Sequence, residues 1–441
     1  MPRLSWARLG EFLNEKSEGE TSAASYPLTI ASAAATAALG PAFVIRWHIG
    51  FYPTTLLEAA ILVTLALFAY ESWRARAIPS WRGPLLLPTL VLLLAGAISV
   101  GDAPSRLAAL GIYRAYFIEP VVFALALVTA IRAPRHAHAI LIGLCAGASV
   151  LAAVNAATVL IAIQSHAFNV AASPPVAIYT AANAVALYLV PLIAVAASLV
   201  VHDNELDRRL RIGLAAFVAL ATIATLLTFS RGGWLALGAV AIGLAISHRR
   251  QWLLLGALAV AAIAFSFIPA IQTRILLEFQ ITGTSQLGGR VALWKVSLKM
   301  LETHWLLGAG IAGYAQRVSI RDLPYGIAQI YPHNILLDFW SETGLLGAVA
   351  FIALMVVAMS VAWKGWRDGP PEWRPIQLGV LLALAAIAVH GIVDNPYWKN
   401  DLAFEFWALL ALSLAGARLA PPTRQERLTA TPRSQDRART R

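Results

Sequence analysis

The chain has 441 residues, of which 59% are hydrophobic and only 13% charged, against about a quarter charged in an ordinary soluble domain. With a mean hydropathy of +0.68, that composition excludes a soluble globular domain and predicts a polytopic membrane protein. The formal charge of +11 then reads as a topology signal on the loops, and a nucleic-acid partner is not expected.

Apolar runs able to cross roughly 30 Å of hydrocarbon recur from Tyr26 to Gly416. Twelve spans are expected, over 26–46, 52–70, 84–100, 107–131, 138–164, 179–201, 212–230, 233–248, 252–269, 333–362, 376–393 and 401–416. No signal-peptide-like n-region with a cleavage site precedes them, so the first is expected to be retained. The single cysteine, Cys145, lies in an apolar run and excludes an intrachain disulfide. Basic residues cluster in alternate connections: Arg74, Arg76 and Arg82; Arg132 and Arg135; Arg208, Arg209 and Arg211; Arg249 and Arg250; Lys364, Arg367 and Arg374; and a tail after Arg418. The opposite short connections carry chiefly Arg46, Arg106 and Lys399. The positive-inside tendency therefore places both termini in the cytoplasm. The expected protein is an all-α polytopic bundle: a cytoplasmic segment 1–25, nine spans over 26–269, an exported loop 270–332, three spans over 333–416, and a basic cytoplasmic tail 417–441 in reach of anionic lipid.

Span parity brings four polar features to the exported side: Ser230-Arg231-Gly232-Gly233, the loop Ala270–Pro332, the start of the span at His333, and Asp394-Asn395-Pro396-Tyr397. Within the loop, Pro269 and the glycines of Gly283-Thr284-Ser285 and Gly288-Gly289 precede a helical pattern from Arg290 to Glu302. Its apolar face is expected to be Val291, Trp294, Leu298 and Leu301, with Lys295, Lys299 and Glu302 opposite, as in a helix capping the membrane surface. Gly308, Gly310 and Gly313 suggest a tight turn; no strand precedes them to make a nucleotide loop.

In Tyr331-Pro332-His333-Asn334 the proline suits a first helical turn, which puts His333 at a helix start on the membrane border. There the helix N-terminus disfavours an imidazolium and suits a general base; the bland alternative is an interfacial histidine bonded to backbone. Asn334, Asp338 and Glu342 carry a polar stripe into the membrane, with Glu342 read as an anchor to a neighbouring helix and Asp338 left open. Arg231, at the end of a span, either snorkels to headgroups or binds an anion, and Arg290 is either a solvated loop charge or a phosphate ligand. Arg114 is balanced between an ion pair with Glu119 and phosphate binding. Asp394 is a candidate to orient His333, bind a sugar, or cap a helix. Tyr397 and Trp398 either stack on sugars or anchor at the interface, and Lys295, Lys299, Arg317 and Arg321 are expected to meet lipid phosphates nonspecifically.

The combination of Ser230-Arg231-Gly232-Gly233-Trp234, a large exported loop with Gly289-Arg290 and Leu307-Gly308-Ala309-Gly310, and Pro332-His333-Asn334 followed by Glu342, Gly344 and Gly347 resembles the O-antigen ligase and polymerase superfamily of bacterial envelopes. The resemblance implies a multi-pass inner-membrane enzyme that moves a glycan from undecaprenyl pyrophosphate to a hydroxyl at the periplasmic face, using neither metal nor nucleotide. In the ligases the acceptor is a sugar of lipid A–core; in the polymerases it is another carrier-linked repeat. His333 is then the general base, and Arg231, Arg290, Asn334, Asp394 and Arg114 are the substrate-binding candidates. A diphosphate leaving group gains charge as the glycosidic bond breaks, and guanidinium groups meet that charge through bidentate hydrogen bonds. A small-anion transporter is disfavoured because the two halves lack matching glycine- or proline-broken spans. A scaffold leaves the exported histidine and arginines unexplained. Glycan identity and oligomeric state are not legible.

Overall fold

The computed structural model describes residues 25–50, 52–77, 79, 83–168, 174–269, 271–273, 286–318 and 330–419. Residues 1–24, the Gly283-Thr284-Ser285 stretch, Arg321 and the basic tail from 420 lie outside the described residues. In chain order the helices are α1 Pro27–Ala38, α2 Leu56–Arg74, α3 Leu86–Asp102, α4 Arg106–Tyr113, α5 Glu119–Ala130, α6 Pro134–Gln164, α7 Ala182–His202, α8 Arg208–Leu227, α9 Arg231–Ser247, α10 Gln251–Ser266, α11 Gln286–His304, α12 Tyr314–Arg317, α13 Ile335–Asp368, α14 Arg374–Gly391 and α15 Asn400–Leu419. The protein is an all-α polytopic bundle. Among the described residues, eight helical segments are long and apolar enough to span a membrane, counting α4 and α5 as one, and four shorter apolar helices overlap the remaining expected spans.

Sequence chemistry sets the helix starts. Thr55 and Glu58 close a reciprocal capping box on α2, Ser230 caps α9 and Asn334 caps α13, each satisfying amides that a first helical turn leaves unpaired. Prolines open α1, α6 and α14, where no amide is required. Between α4 and α5 the chain makes a π-helical turn over Arg114–Ile118. The centre of the bundle is α7 and α15, buried over 89% and 83% of their apolar windows against 28% for α8. A helix apolar all round belongs in that position.

One element was not visible as a sequence pattern. Strands β1 Arg46–Ile49 and β2 Tyr52–Thr55 form an antiparallel hairpin between α1 and α2, with Arg46 opposite Thr55 and Ile49 opposite Tyr52.

The helix α11 buries a face rotated from the expected one, with Leu301 common to both. Leu293, Ser297, Met300 and Leu301 are buried, while Val291 and Leu298 are exposed. The reason is a local partner: Leu293, Met300 and Leu301 pack with Ala309, Tyr314 and Val318, and Ser297 Oγ meets the Tyr314 hydroxyl at 2.8 Å, which lets a polar residue face inward.

The loop after α11 docks into a break in α13. Gly344 has φ 70° and ψ −178°, a conformation essentially confined to glycine. A Cβ there would also collide with the Leu306 carbonyl. At the break, Ser341 O accepts from Ala309 N, and Leu345 N donates to Leu306 O at 3.1 Å. These cross-bonds take up backbone groups that an unbroken helix would pair with each other. Glu342 joins the same junction, its carboxylate accepting from Ala312 N and its carbonyl from Ser99 Oγ. Its carboxylate anchors the loop, and its carbonyl ties the same turn to the neighbouring helix α3.

Candidate functional site

Asp394 lies in the turn between α14 and α15 and is 2% exposed. Its carboxylate receives His333 Nδ1–H at 3.0 Å, Arg290 Nη2–H at 3.3 Å, the Asn183 amide from the first turn of α7, and the Asn395 N–H at 2.9 Å. Elements far apart in sequence thus meet at one oxygen pair. Burial alone would raise the Asp394 carboxyl, but the His333 hydrogen bond and the charge of Arg290 outweigh it and hold the group well below the usual carboxylate range. Asn395 Oδ1 fixes the turn by accepting from Tyr397 N at 3.3 Å and Trp398 N at 3.1 Å.

His333 lies one step further out than the proline suggested. The helix α13 begins at Ile335, and His333 precedes the cap with a left-handed φ of 57°. Asn334 outcompetes Pro332 as the helix-start signal because its Oδ1 accepts from Leu336 N and Leu337 N, both at 3.1 Å. Its Nδ2 donates to Ile392 O at 2.8 Å, tying α13 to the turn that carries Asp394. Asn334 therefore positions the helix start and the Asp394 turn. The imidazole stacks edge-on against Tyr331 with ring centroids 4.8 Å apart. Burial, then the charges of Asp394 and Asp338, raise the Tyr331 phenol and keep it a neutral hydroxyl. Because Nδ1–H is given to Asp394, Nε2 is the nitrogen with a lone pair to accept a proton.

Arg290 is half-buried on α11; Nη2 holds Asp394, while Nη1 is buried with no hydrogen-bond partner among the described residues. Arg231 opens α9 at the same end. The next residue, Gly232, packs so tightly that a Cβ would come within 2.7 Å of the His390 ring. His390 is buried in the last turn of α14, just ahead of Asp394. The Ser230-Arg231-Gly232-Gly233 motif is thus a cap, a cation and two close-packing positions, Gly232 against the end of α14 that leads into the site and Gly233 against Ala186 of α7.

Arg114 does not join this cluster. Its guanidinium is 3.0 Å from Glu58 and 3.4 Å from Glu119, donates to Pro53 O at 3.3 Å, and lies 4.2 Å from the Tyr52 ring centroid. The ion pair with Glu119 is present and Glu58 adds a second carboxylate, while Nε and Nη1 have no hydrogen-bond partner among the described residues. Tyr397 and Trp398 belong neither to a sugar platform nor to an interface belt. They are buried among Phe117, Phe339 and Phe351, and Tyr397 donates to Tyr116 O at 2.8 Å. Arg317 pairs with Asp102 at 2.9 Å. Asp338 is fully buried, with neither carboxylate oxygen hydrogen-bonded among the described residues. Asn183 was missed; its only signal is an amide at the start of an otherwise apolar span on the same side by parity.

Residues 214–352 match the family model described as O-Antigen ligase, roughly a third of the chain. The match is consistent with the O-antigen ligase-like superfamily that the motifs resemble, whose members are glycosyltransferase-like enzymes of O-antigen and lipopolysaccharide pathways. It contains Arg231, Arg290, His333 and Asn334, whereas Asn183 and Asp394 lie on either side of it. A search of curated proteins returned no match.

Proposed function

We propose that this protein is an O-antigen ligase, moving a glycan from undecaprenyl pyrophosphate to a sugar hydroxyl of lipid A–core at the periplasmic face of the inner membrane. The observation that supports this reading most is the Asp394 hub, which couples a candidate base to a candidate phosphate ligand. The acceptor hydroxyl gives its proton to His333 Nε2 as its oxygen attacks the anomeric carbon. The bond from that carbon to the diphosphate oxygen breaks, and the electron pair stays on the leaving diphosphate. Arg290 keeps Nη1 for that developing charge while Nη2 holds Asp394, and Arg231 supplies a second guanidinium from the start of α9. Asp394 fixes the imidazole tautomer and stabilises the imidazolium that forms. The proton on His333 then leaves to water or to the released diphosphate.

Deleting the gene and resolving lipopolysaccharide on a gel tests the reading. Loss of all capped forms, with carrier-bound polymer retained, is the expected result. A single repeat attached to core would identify a polymerase instead, and unchanged lipopolysaccharide would remove the protein from this pathway.

A further inference from the structure

The hairpin β1–β2 is amphipathic in the period of a strand. Ile45, Trp47 and Ile49 alternate along it and are 52%, 36% and 66% exposed, so they share one face. On a bundle that crosses a membrane, an exposed apolar face carrying tryptophan belongs in the lipid interface. The hairpin sits at the same end as the Asp394 turn, because Arg114 bonds Pro53 O and Glu58, and Glu58 accepts from Asn400 Nδ2 at 2.7 Å.

Arg46 projects from the other face. Its guanidinium carbon is 5.7 Å from the centroid of the Phe43 ring, and Lys399 Nζ is 5.3 Å from that same ring and 4.6 Å from the Tyr179 ring. No carboxylate lies within 4.0 Å of either cation among the described residues. The acid Asp401 accepts the Tyr179 hydroxyl, and among the described residues the one side-chain hydrogen bond of Arg46 is a long Nε–H contact to Phe43 O at 3.5 Å. Both cations lie against the Phe43 ring, Arg46 exposed and Lys399 half-buried, with Asp401 the acid whose charge acts on Lys399. A phosphate contacting both would give each an ionised hydrogen-bond partner.

We propose that Arg46 and Lys399 form a binding site for the phosphate group of a membrane lipid. The apolar face of the hairpin selects a lipid over free phosphate, since it immerses the cations at headgroup depth. Lys399 ends the turn that begins at Ile392 and carries Asp394, so a lipid held there has its headgroup beside the Asp394 hub. This deepens the proposed function, and the identification of the lipid as the glycan acceptor rests on that function; the phosphate site itself does not.

The test titrates purified full-length protein in neutral detergent with short-chain phosphatidic acid, diacylglycerol and inorganic phosphate, read by native mass spectrometry. Each charge removed should weaken phosphatidic acid binding about fivefold, and Arg46→Gln with Lys399→Gln together about 25-fold. Diacylglycerol binding should not change, and Arg46→Lys with Lys399→Arg should retain most of the affinity. Each single Gln variant provides a folded control if the double variant loses thermal stability. Equal phosphatidic acid binding by wild type and the Gln variants overturns the site, and inorganic phosphate binding as tightly as phosphatidic acid overturns its assignment to a lipid. In a transfer assay the double Gln variant should raise the acceptor KM and spare kcat. A wild type without transfer activity would sink the ligase reading alone, because the binding measurement needs no turnover.

Discussion

Two arginine–carboxylate clusters stand at one end of this bundle, built from the same residue types to opposite effect. Around Arg114, two carboxylates, a carbonyl and an aromatic ring close on one cation. Around Asp394, one carboxylate is divided among a histidine, an arginine and an amide. The first cluster has two carboxylates to one cation and ties helices together, although Arg114 Nε and Nη1 also lack a hydrogen-bond partner among the described residues. The second has more donors than its single acceptor can take, which leaves Arg290 Nη1 and His333 Nε2 for something else. The ratio of carboxylates to cations separates scaffold from site more sharply than the presence of a buried arginine.

The comparison breaks first at the hub. His333→Ala should lower transfer by about 10² to 10⁴-fold in protein that still inserts in the membrane, the range typical of a general base. Asp394→Asn should come within that range, since an amide can present its N–H to Nδ1 and turn the imidazole to the wrong tautomer. Near-normal turnover in either purified variant would dissolve the distinction between the clusters. Next come Arg290→Lys and Arg231→Lys. A lysine keeps the charge but loses the planar fork, so both donor binding and turnover should fall, whereas a residue that only snorkels would tolerate it.

Arg114→Ala sharpens the contrast from the other side. It strands Glu58 and Glu119 in the interior, which should cost on the order of 3 kcal/mol of stability. Thermal melting should register the loss, and donor affinity measured on the protein that stays folded should be near wild type. A large loss of donor affinity would return Arg114 to the substrate site. A pH series separates the hub's parts. The Asp394 carboxyl is depressed in the folded protein, so its contribution to stability is fully present above the unfolded value of about 3.9 and is lost only as pH falls below it. Measured in His333→Gln, so that no imidazole beside Asp394 titrates, stability arising from Asp394 should therefore be flat between pH 8 and 5, and a slope there that disappears when Asp394→Asn is added would contradict the ionised hub. The smallest expected effect is that of excess EDTA in a purified transfer assay, where no change is anticipated; activity lost to chelation and restored by Mg²⁺ would overturn the guanidinium account of the leaving group.

The helical spans were legible because each is an uninterrupted apolar run, and length and hydropathy decide such segments without tertiary information. Parity then brought Ser230, His333 and Asp394 to one side, where His333 and Asp394 meet. What stayed hidden depended on contacts at long range. Glu58 reaches Arg114 across 56 residues, so the nearer Glu119 looked like its obvious partner. Asn183 reaches Asp394 across 211. Tyr397 and Trp398 carry the composition of an interface belt, and only packing against Phe339 and Phe117 shows them to be interior. The hairpin strands β1 and β2 are too short to leave a periodic signature.

The break at Gly344 has a mechanical consequence. Along an intact helix a twist or tilt at one end is carried to the other, but at Gly344 the two pieces of α13 are joined by an extended peptide and braced by the Leu306–Ala309 segment. The short piece from Ile335 to Thr343, which carries the cap beside His333, is thereby coupled to the loop after α11 more directly than to the long piece below. The break is one residue wide, and it sets the orientation of the His333 end by its contacts with that loop instead of by the axis of the long piece.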